Sequence, residues 1–99
     1  MATTTIIGFM IAYQAMIADI SPKEALDIAY CESRLDPKAK NPNSSATGIF
    51  QFTIGTWNWT KCKGERTNAY DSTKCFMKYY KKYPHWWVCS KHYQLARKI

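Results

Sequence analysis

Apolar residues near the start of the chain recur at helical spacing. The recurring positions are Ile6, Met10, Tyr13 and Ile17, and Phe9, Met16 and Ile20 lie beside them. Residues three and four apart share one face of a helix, so the pattern predicts a first helix over about residues 6–19. The longest apolar run, Ile6 to Ala18, is too short to span a membrane and is interrupted by Gln14. We therefore expect no stable membrane insertion.

Start signals for a second helix follow directly. Ser21 can cap the first turn, Pro22 fits the first helical position, and Glu24 completes a capping box three residues after the cap. The helix should run toward residues 33–34, because the residue before Pro37 is disfavoured in helical conformation.

The middle of the chain alternates between polar and apolar segments. Residues 37–47 form a polar loop, whereas residues 48–52 are too apolar for a surface loop. A short helix is predicted over residues 54–60, and residues 61–70 are a connection rich in Lys, Gly and Asn.

The last third of the chain predicts one further helix and a basic tail. Asp71 can cap a helix with an aromatic face, and Pro84 stops it. Residues 85–99 leave room for one more short helix. With no convincing long strand, the 99 residues predict one mainly α domain over residues 1–99, with a minimal β or extended segment.

Four cysteines in so short a chain predict two disulfides. Cys31, Cys62, Cys75 and Cys89 include no CxxC pair and no His at zinc-finger spacing, so we expect no metal. Disulfides indicate an oxidising, extracytoplasmic compartment. The spacing leaves all three connectivities open.

The formal net charge of +7 favours a polyanionic partner. Nucleic acid, an anionic membrane and an anionic cell wall all fit this charge, as does a solvated basic surface without a partner. A nucleic-acid-binding module is disfavoured because no helix-turn-helix, zinc or RNP-type signature is present.

Glu32 is the most informative single residue. It continues the helical stripe formed by Ala25, Ile28 and Ala29, which is otherwise apolar. A carboxyl group there is partly desolvated, which raises its pKa and suits it to general acid catalysis. The alternative is a Glu at the edge of the core that pairs with Arg34 or a nearby Lys.

Three segments around Glu32 resemble the lytic transglycosylases of the lysozyme superfamily. They are Cys31-Glu32-Ser33-Arg34-Leu35-Asp36-Pro37, Ala46-Thr47-Gly48-Ile49-Phe50-Gln51-Phe52 and Thr56-Trp57. Family members carry a Glu-Ser dipeptide at a helix end, a polar loop, a Gly-apolar-apolar-Gln segment and then Thr-Trp or Thr-Ala. The resemblance covers about residues 20–60 and implies a lysozyme-like α+β fold with a substrate groove.

A closer resemblance is to the short resuscitation-promoting-factor type of domain. In that group a cysteine directly precedes the catalytic Glu-Ser and bonds to a cysteine in a Trp-containing segment near the domain end. The resemblance implies a Cys31–Cys89 disulfide, and by subtraction a Cys62–Cys75 disulfide.

The resemblance also implies roles for individual residues. Glu32 would protonate the β-1,4 glycosidic oxygen between N-acetylmuramic acid and N-acetylglucosamine, then act as base on the 6-hydroxyl to close a 1,6-anhydro ring. Gln51 would contact the substrate together with Ile49 and Phe50, and Gly48 would let the backbone approach the glycan. Ser33 would hold the Glu-bearing turn through a hydrogen bond. No cofactor is implied.

Two departures from the family pattern leave alternatives open. Larger members have an Ala-Tyr-Asn-x-Gly motif, for which Asn68-Ala69-Tyr70-Asp71 is a poor match, so Tyr70 is a weaker candidate for substrate binding. The resemblance also covers hydrolysing muramidases, which typically need a second carboxylate. Asp36 is the nearest one, but an Asp before Pro37 commonly caps a turn.

The aromatic residues have two interpretations, because they line sugar-binding grooves but also fill small cores. Trp57 and Trp59 are candidates for stacking on sugar rings, and Trp86 and Trp87 for closing the core over the Cys31–Cys89 bridge. We expect a monomer whose partner is the peptidoglycan glycan strand. The alternative of another class is a non-catalytic cell-wall-binding module.

Overall fold

The structure, a computed structural model, describes residues 2–97. Within this range five helices follow one another: α1 (Ala2–Ile17), α2 (Pro22–Ser33), α3 (Ile54–Thr60), α4 (Ala69–Tyr79) and α5 (Lys91–Arg97). Two 3₁₀ turns, Pro84–Trp86 and Val88–Ser90, precede α5. Isolated antiparallel bridges join Thr47 to Lys40 and to Phe52. The predicted mainly helical fold is confirmed, and the last two residues of the predicted basic tail lie outside the described range.

The first helix buries a narrow face made of Ile7, Ile11 and Ala15. The stripe that predicted the helix lies mostly on the outside, where Ile6, Phe9, Tyr13, Met16 and Ile17 are all exposed. Residues 2–17 carry no charge, so apolar side chains occur around most of the helix and periodicity does not select the packed face. Packing against α2 and α4 selects it instead, and the Leu26 side chain of α2 lies close to Gly8 of α1.

The start of α2 follows only half of the predicted capping box. The Ser21 hydroxyl oxygen accepts the Glu24 N–H at 3.3 Å, as a cap should. The Glu24 side chain does not return the bond to the cap, and the prediction that it completes the box is wrong. Its carboxylate is buried and instead accepts from the Tyr80 hydroxyl and the Arg97 guanidinium. Burial of the Tyr80 hydroxyl raises its pKa to about 12, and the hydrogen bond to the Glu24 carboxylate is the second contribution to this rise.

The other helix ends follow local signals with one correction. Arg34 ends α2 in the left-handed conformation (φ 57°), and its N–H donates to the Tyr30 carbonyl at 2.8 Å. The predicted helix over residues 54–60 is confirmed as α3. The cap of α4 is Asn68, whose side chain accepts the Asp71 N–H, so the prediction that Asp71 is the cap is wrong by three residues.

One cluster of buried apolar side chains connects the helices. It joins α1, α2 and α4 to the segment around Ile49 and Phe50 and to Trp87. Phe50 stacks on Phe76 at 4.0 Å between ring centroids, and Trp87 meets Phe76 edge-on at 4.8 Å. No helix in the described part of the chain is long and apolar enough to cross a membrane.

We expect Ile11→Ala to destabilise the protein by about 2–5 kcal/mol, because it leaves a cavity in the core. Ile11 is 0% exposed, whereas Ile6 on the same helix is 65% exposed. Ile6→Ala is therefore the matched control, with an expected change within about 0.5 kcal/mol. Urea unfolding of the two variants measures the difference. Equal losses would show that the outer face of α1 is also packed in solution.

Candidate active site

Glu32 lies in the last turn of α2 and is partly buried. Its Oε2 accepts the backbone N–H of Cys89 at 3.2 Å. Cys89 is also covalently joined to Cys31, the residue before Glu32, with 6.0 Å between the two Cα atoms. The carboxyl group is therefore held between the end of α2 and the second 3₁₀ turn, which contains Cys89.

The electrostatic surroundings of Glu32 favour the protonated form. Burial raises the pKa of Glu32 above its usual value of 4.5, and the hydrogen bond from Cys89 opposes the rise only in part. The position in the last helical turn acts in the same direction as burial, because the carboxyl end of a helix dipole is negative.

The ion pair considered as an alternative for Glu32 does not form. The Arg34 guanidinium donates to the Tyr30 hydroxyl at 3.2 Å and lies over the Tyr30 ring. The ion pairs of the described residues are Lys23–Asp27, Lys81–Asp19 and Arg97–Glu24, and none includes Glu32. Among residues 2–97, no cation therefore lowers the pKa of Glu32.

Ser33 stabilises the turn that carries Glu32. Its buried hydroxyl donates to the Ala29 carbonyl one turn earlier, at 3.1 Å. This bond uses the hydroxyl hydrogen within α2, so Ser33 stabilises the helix end next to Glu32.

Gln51 organises the loop that follows the polar segment. Its Nε2 donates to the Gly48 carbonyl at 2.9 Å and to the Ala39 carbonyl at 3.1 Å. Its backbone adopts the left-handed conformation, with φ 52°. Both amide hydrogens are used within the loop, which leaves Oε1 as the side-chain atom that can accept a hydrogen bond from a ligand.

The fold requires a glycine at position 48, whether or not this residue contacts a substrate. Its φ is +91°, and a β-carbon there would lie 2.1 Å from the Arg66 carbonyl oxygen. The Arg66 guanidinium also donates to the carbonyl oxygens of Ser45 and Phe52. Through these two hydrogen bonds Arg66 holds the loop closed, a role that no sequence pattern indicated. The expected approach of glycan to Gly48 stays a prediction.

The side chains of Ile49 and Phe50 are fully buried in the core. Any contact of these two residues with substrate must therefore use the backbone. The Phe50 carbonyl oxygen already accepts one hydrogen bond, from the Trp87 indole N–H at 2.8 Å.

One short segment contacts both halves of the predicted site. Trp87 bonds to the Phe50 carbonyl and lines a small cleft together with Gln51, Thr56 and Trp86. Two residues later, the Cys89 N–H donates to Glu32. Residues 87–89 therefore link the Glu32 turn to the Gln51 loop, although Glu32 does not itself line the cleft.

The aromatic residues that were predicted to bind substrate or to close the core lie in separate parts of the structure. Trp57 is 9% exposed and packs edge-on against Phe52, whereas Trp59 is 61% exposed and contacts the rings of Tyr79 and Trp86. Tyr70 lines a separate cavity beside the Cys62–Cys75 disulfide, away from Glu32 and Gln51. Trp87 is buried as expected for a residue that closes the core, while Trp86 is only half-buried.

The fold and the site together define a small helical, disulfide-bonded domain in which Glu32, a partly desolvated carboxyl group without an ion-pair partner among the described residues, ends α2. A family model described as the Transglycosylase SLT domain matches residues 9–96, so the chain belongs to this family. The resemblance to lytic transglycosylases is thereby confirmed. No curated protein and no solved structure matches the chain. Both disulfides implied by the resemblance, Cys31–Cys89 and Cys62–Cys75, are present.

We expect Glu32→Gln to be more stable than the wild type at neutral pH. The raised pKa of Glu32 means that the folded protein holds this proton more tightly than the unfolded chain does. Wild-type stability therefore falls as pH rises from the usual pKa through the raised one, and stays lower above it. Gln keeps an oxygen for the Cys89 N–H but does not ionise.

Urea unfolding between about pH 3.5 and about pH 7.5 measures this difference. The advantage of Glu32→Gln should be smallest at low pH and grow through the titration of Glu32. An advantage for the wild type at neutral pH would show that its carboxylate is stabilised by the fold, contrary to the sign given by burial.

Proposed function

We propose that this chain cleaves the β-1,4 glycosidic bond between N-acetylmuramic acid and N-acetylglucosamine in peptidoglycan, with Glu32 as both acid and base. Membership of the transglycosylase family supports a peptidoglycan-cleaving activity in general. The observation that carries the assignment to Glu32 is its partial burial and its hydrogen bond from the Cys89 N–H.

The first step is proton donation to the glycosidic oxygen. A general acid must hold its proton near the working pH and then give it up. The raised pKa of Glu32 favours this state. Because Oε2 accepts the Cys89 N–H, Oε1 is the oxygen left to carry the proton toward the substrate. Transfer breaks the bond between C1 of the muramic acid and the leaving 4-oxygen, and positive charge develops on the sugar ring.

The second step is attack by the sugar's own 6-hydroxyl. The Glu32 carboxylate, now ionised, removes the hydroxyl proton while O6 bonds to C1, which closes the 1,6-anhydro ring and restores the acid. The Cys89 N–H stabilises the ionised state formed between the steps, as a fixed donor does without reorganisation. No water is consumed, so one carboxyl group is sufficient.

The environments of two other carboxylates, Glu24 and Asp36, support the single-carboxylate route. Glu24 is buried with Tyr80 and Arg97. Asp36, considered as a second carboxylate, is exposed and accepts the Lys38 N–H at 2.9 Å, which is a turn-capping contact. Hydrolysing glycosidases place two carboxyl groups on opposite sides of the bond. A muramidase reaction is therefore the less favoured alternative.

Gln51 and the cleft beside it are the proposed contacts with the glycan. The free Oε1 of Gln51 can accept from a sugar hydroxyl or acetamido N–H, and Trp86 offers a half-exposed ring in the same cleft. The two disulfides, which persist in oxidising compartments, support action outside the cytoplasm, where peptidoglycan lies. We expect the protein to act as a monomer.

We expect Glu32→Gln to lower the rate of peptidoglycan cleavage by at least about 100-fold, the usual contribution of a general acid. Asp36→Asn is the control, with an expected change of less than about threefold because its contact is replaceable by an amide. Release of soluble muropeptides from purified peptidoglycan measures both. If Glu32→Gln cleaves at the wild-type rate, Glu32 is not the acid. A wild-type protein that binds peptidoglycan without cleaving it is a binding module.

We expect the products to end in 1,6-anhydro-N-acetylmuramic acid. Because the attacking hydroxyl belongs to the sugar, each product is lighter by one water than the corresponding reducing-end muropeptide. Mass spectrometry of the released fragments separates the two. Reducing ends formed in place of anhydro ends would identify the muramidase alternative and leave the role of Glu32 intact.

A further inference from the structure

A second cavity, of about 420 Å³, opens beside the Cys62–Cys75 disulfide. Four exposed lysines line it, and they are Lys61, Lys63, Lys74 and Lys78. The exposed ring of Tyr70 also lines the cavity, and Lys74 lies over that ring at 5.5 Å from its centroid. Neither Glu32 nor Gln51 belongs to this cavity, so it is distinct from the site described above.

The disulfide is what brings the four lysines together. Lys61 and Lys63 flank Cys62 in the connection after α3, and Lys74 precedes Cys75 in α4. The bond joins two segments 13 residues apart in sequence, with 5.9 Å between their Cα atoms. Lys78 follows Lys74 by one helical turn and so lies on the same face of α4.

The positive charge in this cavity is only partly neutralised by the described residues. Within residues 2–97 none of the four lysines takes part in an ion pair. The cavity has one carboxylate, Asp71, which leaves four positive groups and one negative group, a formal +3. Asp71 is itself occupied, because its Oδ2 accepts the Glu65 N–H at 3.1 Å. Convergence of like charges opposes folding, so an anion in this cavity would relieve a repulsion.

We propose that this cavity binds an anionic chain with repeating phosphate or carboxylate groups, which the four lysines contact. Lysine ammonium groups are point charges with freely rotating donors, and the cavity contains no arginine to demand a planar, bidentate partner. Several cations around one opening suit several anionic groups spaced along a chain. Such binding would retain the protein on an anionic wall, and it is independent of cleavage because it uses none of the proposed catalytic residues.

The test measures binding of two probes without a glycosidic bond, a poly(glycerol phosphate) oligomer and a polyglutamate oligomer of equal charge. We expect amide resonances of residues 61–63 and 74–78 to shift on titration with at least one probe. Preference between the probes identifies the source of the anionic groups. If both probes leave these resonances unchanged, or shift those of other surfaces only, the cavity is not the binding site.

Matched variants separate this cavity from general attraction to a basic protein. Replacing Lys61, Lys63, Lys74 and Lys78 by Gln should weaken binding about 100-fold and reduce its salt dependence. Replacing the four exposed lysines Lys38, Lys40, Lys82 and Lys91 by Gln, none of which takes part in an ion pair among the described residues, removes the same charge elsewhere. That control should weaken binding less than about threefold, because exposed charges are screened within about 8 Å at physiological salt. Equal losses in the two variants would overturn the assignment.

Folding stability gives an independent readout. If the four lysines repel one another, the cavity variant should melt at a higher temperature than the control variant at low salt, and the difference should shrink as salt is added. The probe that binds should raise the melting temperature of the control variant and not that of the cavity variant.

Discussion

The connection between Cys31, Glu32 and Cys89 is the constraint on which the candidate site depends. The disulfide joins the end of α2 to the segment before α5 across 58 residues. Closing a loop of that length removes about 4 kcal/mol of conformational freedom from the unfolded chain. The same cysteine that closes the loop donates its N–H to Glu32. The covalent bond therefore sets the position of the donor relative to the carboxyl group, and a loss of that bond would alter both stability and the site.

Around this connection the protein balances two opposing effects on one carboxyl group. Burial and the helix end favour the protonated state of Glu32, and the Cys89 N–H favours the ionised state. A group that must alternate between acid and base requires both states to be accessible. Such an arrangement reduces stability wherever Glu32 is ionised, since the fold then holds a partly desolvated carboxylate. At the buried Glu24 the carboxylate is instead compensated by hydrogen bonds from Tyr80 and Arg97, both to Oε2.

Much of the local structure was predictable because its causes lie within a few residues. Ser21 and Pro22 start α2, and the short helix over residues 54–60 has its own cap. The burial of residues 49–50 followed from their apolar character. Errors arose at two helix starts, where the predicted capping contacts of the Glu24 and Asp71 side chains do not form. Asn68 caps α4 in place of Asp71, because the helix begins three residues earlier than the polar connection suggested. The disulfide pairing required the family resemblance, since spacing left three connectivities open.

The sequence by itself determined that the chain is mainly helical, that Glu32 ends an apolar stripe, and that a Gly-apolar-apolar-Gln segment follows it. These features depend on periodicity and on neighbouring residues. Only the tertiary structure decided which face of α1 is packed, that Arg66 and Trp87 hold the Gln51 loop, and that four lysines converge at the second disulfide. The physical reason is that these contacts join residues distant in sequence. Shape complementarity and chain closure select such contacts, and no local pattern records them.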